Sequence, residues 1–162
     1  MNDQTAKAKK LDMIANALCV TAGVAGVALF LYLKNAYPKG LIYFFESEWG
    51  GYLFALSPLL LLLMQPKAQK SWTPEAEQRY AKYKILLAVS RTMIAWSMVM
   101  GLGGIAIILV VTNLQEEPSW ASAALPMLYT SLVIGGVLSL CGLGVNFWSR
   151  VAGKGVVDFR KY

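Results

Sequence analysis

Long apolar stretches alternate along this chain with short polar segments that carry most of its charge. The apolar stretches cover residues 12–33, 50–64, 85–111 and 123–148. A bilayer core about 30 Å thick needs roughly 20 apolar residues of helix to cross it. Three stretches meet that length, and the short second one is preceded by further apolar residues at 41–45. The pattern predicts an all-α, polytopic membrane protein with a bundle of four transmembrane helices.

Basic residues gather on one side of the predicted membrane. They occur in residues 1–10, in the connector before the third stretch and in residues 150–162, whereas the opposite side holds only Lys34 and Lys39. Lys and Arg near membrane ends collect in the cytoplasm. We therefore expect a four-helix transmembrane domain over residues 11–149 between two cytoplasmic basic tails, in a bacterial inner membrane. The net charge of +6 then reflects topology and attraction to membrane lipid, not nucleic-acid binding.

The connector before the third stretch contains a helix start. Thr73 can cap a helix, Pro74 suits its first position, and the two glutamates that follow complement the positive end of the helix dipole. A helix from Pro74 to about Thr112 would be roughly 58 Å long and would extend helix three into the cytoplasm. Residues 73–84 could then dock a cytoplasmic partner through their tyrosines and basic face, or simply join two spans.

Small residues recur at intervals of three and four in three of the predicted spans. In lipid, helices associate where small residues allow their backbones to approach closely. This spacing predicts that the first, third and fourth spans pack together, although the serines and asparagine of the fourth span could instead line a polar path. The packing candidates are Gly26, Ser97, Gly101, Gly104, Ser131, Gly135, Ser139, Gly142 and Asn146.

Two charged residues lie inside the apolar stretches. Arg91 falls in the third stretch and Asp12 at the start of the first. An ionised group at membrane depth is expensive and is a functional candidate, unless a long side chain reaches back to the headgroups. An Asp12–Arg91 pair is a physically sensible hypothesis beside that alternative, and its role would be to fix the register of two helices rather than to move protons.

The composition gives little support for a catalytic role. The chain has no histidine, which removes imidazole ligands for haem or zinc and the commonest general base. Both cysteines fall within predicted spans, where thiols usually act as small apolar groups. The acidic pairs Glu46–Glu48 and Glu116–Glu117 resemble solvated surface groups. We therefore expect no catalytic residue, no metal site and no cofactor.

The functional expectation is a non-enzymatic subunit of a larger multiprotein membrane complex. Such a scaffold or assembly role occurs in secretion, conjugation and respiratory machines, and its partners would be other membrane subunits. The alternative is a small oligomeric transporter or channel. Pro58 and an ungapped similarity of residues 23–35 to residues 101–113 motivate it, because broken helices and repeats often mark transport sites.

Overall fold

The structure is a computed structural model that describes residues 3–36, 56–62, 73–112 and 121–157. These parts of the chain are helical except for Thr73 and the turn at 154–157, and they contain no β-strand, which confirms the all-α prediction. The elements are α1 (Asp3–Ala36), α2 (Pro74–Ser97), a π-helical turn (Met98–Leu102), α3 (Gly103–Thr112) and α4 (Ala121–Gly153).

Three of these helical stretches are long and apolar enough to cross a membrane. They are Thr5–Ala36, Pro74–Ile108 and Ser122–Gly153, which correspond to the first, third and fourth predicted spans. The membrane assignment made from the sequence is therefore supported. Of the predicted second span, only residues 56–62 belong to the described part of the chain, and they are helical.

Helix α1 begins at Asp3, about two turns before the expected start at Leu11. Its first turns are held by a distant partner, because Thr5 Oγ1 donates a hydrogen bond to Glu77 Oε1 at 3.0 Å. Ala8 is buried on the same stretch. Part of the amino-terminal segment that we expected to be a polar tail is thus the packed first portion of a transmembrane-length helix.

Helix α2 begins as the sequence predicts. Thr73 is the N-cap and its side-chain oxygen accepts a hydrogen bond from the backbone N–H of Ala76 at 3.3 Å. Pro74 occupies the first turn, where its missing N–H has no intrahelical partner to lose. The chain then stays helical to Thr112, but the π-helical turn interrupts the regular α-helix after Ser97. The sequence analysis did not predict that turn.

Helices α1 and α2 run in the same direction. Thr5 and Glu77, both near the starts of their helices, are hydrogen-bonded. Farther along, a Cβ atom on Gly103 at the start of α3 would lie 2.8 Å from Leu29 Cδ2 near the end of α1. Because the contacts occur in the same order along both helices, the chain begins α1 and α2 at the same end of the bundle.

Helix α4 runs in the opposite direction. Ser90 Oγ, in α2, donates to the carbonyl oxygen of Gly142, late in α4, at 2.8 Å. Ser131 Oγ, early in α4, donates to the carbonyl oxygen of Met100, in the π-helical turn, at 3.3 Å. Positions later in α2 therefore meet positions earlier in α4, which makes the two helices antiparallel neighbours.

The helical residues 56–62 pack into the groove between α1 and α2. A Cβ atom on Gly23 would meet Leu59 at 2.8 Å, and Leu62, farther along the segment, packs on a small buried cluster. Ser57, at the start of the segment, donates to Met98 Sδ at 3.6 Å, whereas the cluster under Leu62 contains Ala95, three residues before Met98. The segment therefore runs opposite to α2 and to α1, which is parallel to α2. We call the cluster the junction core, and its members are Cys19, Ala22 and Ala95.

Candidate intramembrane charge site and packing seam

The two charged residues singled out in the sequence are in contact. Arg91 Nη2 donates a hydrogen bond to Asp12 Oδ1, which joins α2 to α1. The other carboxylate oxygen, Oδ2, lies 3.8 Å from Lys84 Nζ. The exposed fraction of the side chains falls from 35% at Lys84 to 17% at Asp12 and 3% at Arg91. The three groups thus form a line from the bundle surface to its interior.

Arg91 is only partly satisfied by this contact. Its Nε and Nη1 atoms are buried and have no hydrogen-bond partner in the structure. The same holds for Oδ1 of Asn16, which lies four residues after Asp12 and therefore on the same face of α1. Asn16 was not among the site residues predicted from the sequence. Its spacing of four from a charged intramembrane residue is the signal that could have found it.

Glycines allow α4 to approach α2, the π-helical turn and α3 closely, along what we call the packing seam. A Cβ atom on Gly135 would lie 2.6 Å from the backbone N and 2.7 Å from the Cα of Gly101. A Cβ on Gly104 would lie 2.8 Å from Ser131 Oγ, and one on Gly142 would lie 2.8 Å from Ile94 Cγ1. Five of the predicted packing residues are therefore brought together here.

The remaining packing candidates lie outside these three contacts. Ser97 is buried, and its hydroxyl donates to the carbonyl oxygen of Ile94 in its own helix at 2.8 Å. Gly26 is half-buried on α1, and Ser139 and Asn146 are half-buried on α4.

Serine hydroxyls along the seam bond to backbone carbonyls. The single Ser131 hydroxyl proton is shared between two acceptors, Leu128 O at 2.8 Å and Met100 O at 3.3 Å from Oγ. Ser90, which is fully buried and donates to Gly142 O, was missed in the sequence analysis although it lies seven residues before Ser97 on the same stripe. Because these hydroxyls already have partners, their chemistry supports packing better than a polar path.

The π-helical turn lies beside a groove of about 320 Å³. A π-helical turn leaves carbonyl groups outside the regular α-helical pattern, and the Ser131 hydroxyl reaches one of them, that of Met100. The groove is therefore mostly apolar, with a small hydroxyl component from α4. Its lining residues are Met100, Pro126, Met127, Thr130, Ser131 and Ile134.

The start of α2 offers a smaller docking surface than the sequence suggested. Tyr83 is buried, so it cannot contribute to a partner surface over residues 73–84. Tyr80 is half-buried, with its ring centroid 6.2 Å from that of Tyr83 and Lys84 Nζ 5.6 Å from its centroid. The exposed basic side chains there are Arg79 and Lys82.

The part of the chain that the structure describes contains both cysteines and several carboxylates, which are the side chains that could bind a metal ion. Within those residues, no group of three or more His, Cys, Asp or Glu side chains is placed to hold a metal ion. Cys19 is buried in the junction core, Cys141 is exposed on α4, and both are free thiols. Comparison with known protein families, with curated proteins and with solved structures finds no match to this chain.

Proposed function

We propose that the chain crosses a bacterial inner membrane four times, with both termini in the cytoplasm. The supporting observation is that α1 and α2 are parallel. If both helices cross in the same direction, the chain between Ala36 and Pro74 has to return across the bilayer. The helical residues 56–62, which run opposite to α1, are suited to that return. The excess of Lys and Arg at the shared end of α1 and α2 favours placing that end in the cytoplasm.

This topology predicts which single cysteines an impermeant maleimide can reach. In a background with Cys19 and Cys141 replaced by Ala, cysteines at Lys9 and Lys154 should react only after the membrane is opened. A cysteine at Lys39 should react in intact cells. Reaction of Lys9→Cys and Lys154→Cys from opposite sides would contradict the four-crossing topology.

We further propose that the protein is a non-enzymatic subunit of a larger membrane complex. The observation that carries this proposal is the outward face of α4. Gly142 on this helix packs against α2 and Gly135 against the π-helical turn, whereas a Cβ atom added to Gly136 or Gly144 would meet no atom of another helix within 4 Å. Glycine costs about 1 kcal/mol relative to Ala in a helix interior, and lipid tails give nothing in return. A second helix offsets this cost, because small residues allow close backbone contact between helices.

Large apolar side chains flank these two glycines on the same face. Leu140, Leu143 and Phe147 are strongly exposed, and their spacing places them with Gly136 and Gly144 on one side of α4. Large side chains beside two glycines give a ridge and a groove, which is the shape that packs against a partner helix in lipid. Membrane lipid would cover the remaining apolar surface. Arg79 and Lys82 are candidates for contact with a cytoplasmic partner.

The complex proposal predicts the effect of filling the outward groove of α4. Purification of the wild-type chain in mild detergent should recover a different subunit in fixed stoichiometry. The double variant Gly136→Leu and Gly144→Leu should reduce that recovery at least about tenfold, since each added side chain would hold the partner backbone away.

The matched control adds the same bulk elsewhere. Ala17→Leu and Ala28→Leu fall on exposed positions of α1 and should leave recovery of the partner unchanged. Helix content and thermal unfolding of both double variants should match the wild type. Recovery of the chain alone as a homo-oligomer, with or without the α4 substitutions, would contradict the subunit proposal.

The second candidate function is a small oligomeric transporter or channel. The parallel arrangement of α1 and α2 favours it, because it is the orientation that a duplicated helical hairpin would have. The buried Arg91 and the groove beside the π-helical turn would be its candidate polar elements. A lone homo-oligomer whose flux after reconstitution is abolished by Arg91→Ala would favour this function over the first.

A further inference from the structure

The unpartnered polar atoms of Arg91 and Asn16 belong to facing parts of α2 and α1, linked by the Arg91–Asp12 contact. Arg91 reaches α1 through Asp12, and Asn16 is one helical turn beyond Asp12 on the same face. On the side toward the middle of the helices, the apolar junction core closes this region. On the other side, exposure rises from Arg91 through Asp12 to Lys84. Access therefore comes from the end of the bundle where α1 and α2 begin.

The shape of the guanidinium determines how many acceptors it needs. Nη2 is occupied by Asp12 through a single hydrogen bond. Nε carries one donor and Nη1 carries two, none of them partnered, and the N–H bonds of these two nitrogens leave the planar group along different edges. One acceptor atom cannot serve both nitrogens. At least two acceptors are needed to serve Nε and Nη1 of Arg91, because a buried donor left unpaired is destabilising, and more so when it is charged.

Asn16 Oδ1 adds the opposite requirement. It is a buried acceptor that needs a donor. A simple anion would satisfy Arg91 but would be repelled by this oxygen and by the Asp12 carboxylate. Charge balance does not call for an anion either, because Asp12 neutralises Arg91 and Lys84 is exposed enough to be solvated. The group that fits must both accept and donate hydrogen bonds.

We propose that Arg91, Asp12 and Asn16 together form a binding site for ordered water that enters from the end of the bundle where α1 and α2 begin. Two or more water molecules accept from Nε and Nη1 of Arg91, and one of them donates to Asn16 Oδ1. Buried waters typically make about three hydrogen bonds to polar groups that lack other partners. The interface between α1 and α2 is therefore hydrated at this site, although the rest of the bundle is apolar. This holds equally for a complex subunit and for a transporter.

The test is a rotating-frame nuclear Overhauser experiment on the full chain in detergent micelles, with ¹⁵N-labelled arginine. The Arg91 Hε signal is identified as the one that remains when Arg79, Arg150 and Arg160 are replaced by Lys, so Arg91 itself stays intact. The expected result is a cross-peak between Arg91 Hε and water with the sign of spatial proximity, which is opposite to the sign produced by proton exchange.

Two further measurements identify the occupant and the role of Asn16. Addition of chloride or inorganic phosphate should leave the Arg91 Hε shift unchanged. Asn16→Leu should reduce the water cross-peak by about half or more, because it removes one partner of the bound water and fills its space. Ala17→Leu, at an exposed position beside it, should not.

Three results would overturn the proposal. The absence of a water cross-peak would mean that the guanidinium is dry. A saturable shift with chloride or phosphate would mean that an anion is the ligand. An unchanged cross-peak in Asn16→Leu would remove Asn16 from the site.

Discussion

Replacing Asp12 with Leu should destabilise the helical fold by about 3–5 kcal/mol, the range typical of breaking a buried ion pair. The physical reason is the charge left behind. Arg91 is buried, and Asp12 is the carboxylate that its guanidinium contacts. Without Asp12, an unpaired cation would remain in the apolar bundle, and such groups are costly at membrane depth. The measurement is the free energy of unfolding in mixed micelles as the fraction of denaturing detergent increases.

The double variant distinguishes this cause from a loss of packing. Removing both charges with Asp12→Leu and Arg91→Leu should cost less than Asp12→Leu alone, because no charge is left unpaired. Exchanging the residues, with Asp12→Arg and Arg91→Asp, should recover part of the loss. Lys84→Leu is the control and should cost less than about 1 kcal/mol, since Lys84 is partly exposed. If the cost of the double variant equalled the sum of the costs of Asp12→Leu alone and Arg91→Leu alone, the two residues would not be energetically coupled.

Local chemistry made some features of this fold predictable from the sequence. The start of α2 depends on Thr73 and Pro74, whose capping and conformational preferences act within one helical turn. The contact between Asp12 and Arg91 was foreseeable for a different reason. Charged groups are so unfavourable in an apolar helix that two of opposite sign at similar depth have a strong drive to meet.

Features that depend on distant contacts were not predictable. The early start of α1 is associated with a hydrogen bond from Thr5 to Glu77, 72 residues away. The π-helical turn at Met98–Leu102 coincides with the closest approach of α4, where Ser131 donates to a carbonyl oxygen in the turn. Neither short-range propensity nor apolar periodicity contains this information, because both describe one segment at a time.

The rotation of each helix about its own axis could not be predicted from the sequence pattern either. Tyr83 and Tyr80 looked equally suited to a docking surface, yet Tyr83 is buried. Gly135 and Gly136 are adjacent and identical, but a Cβ on the first would clash with the backbone of the π-helical turn and one on the second would meet nothing within 4 Å. Small-residue spacing predicted a seam. Which of two neighbouring glycines lies in that seam depends on how the helices are rotated against each other.

That difference gives a matched pair of substitutions with opposite expected effects. Gly135→Ala should destabilise the fold by about 1–3 kcal/mol, the cost typical of overpacking, because the new methyl group would lie 2.6 Å from the backbone N of Gly101. The clash is with backbone, so no side-chain rotation relieves it and the helices have to separate. Gly136→Ala should be neutral or should stabilise by up to about 1 kcal/mol, since Ala is the better helix former. The same detergent unfolding measurement applies to both variants.

The partner glycine of the seam supplies the control for this steric explanation. A Cβ on Gly101 would lie 3.8 Å from Gly135 Cα, which is ordinary van der Waals contact. Gly101→Ala should therefore be tolerated, although it lies at the same helix crossing and makes the same chemical change. The asymmetry arises because the two Cβ positions point differently relative to the line joining the backbones. Equal destabilisation by Gly101→Ala and Gly135→Ala would mean that the crossing is sensitive to any added methyl group, whichever way that group points. Equal tolerance of both would mean that the π-helical turn and α4 are not held together at this point.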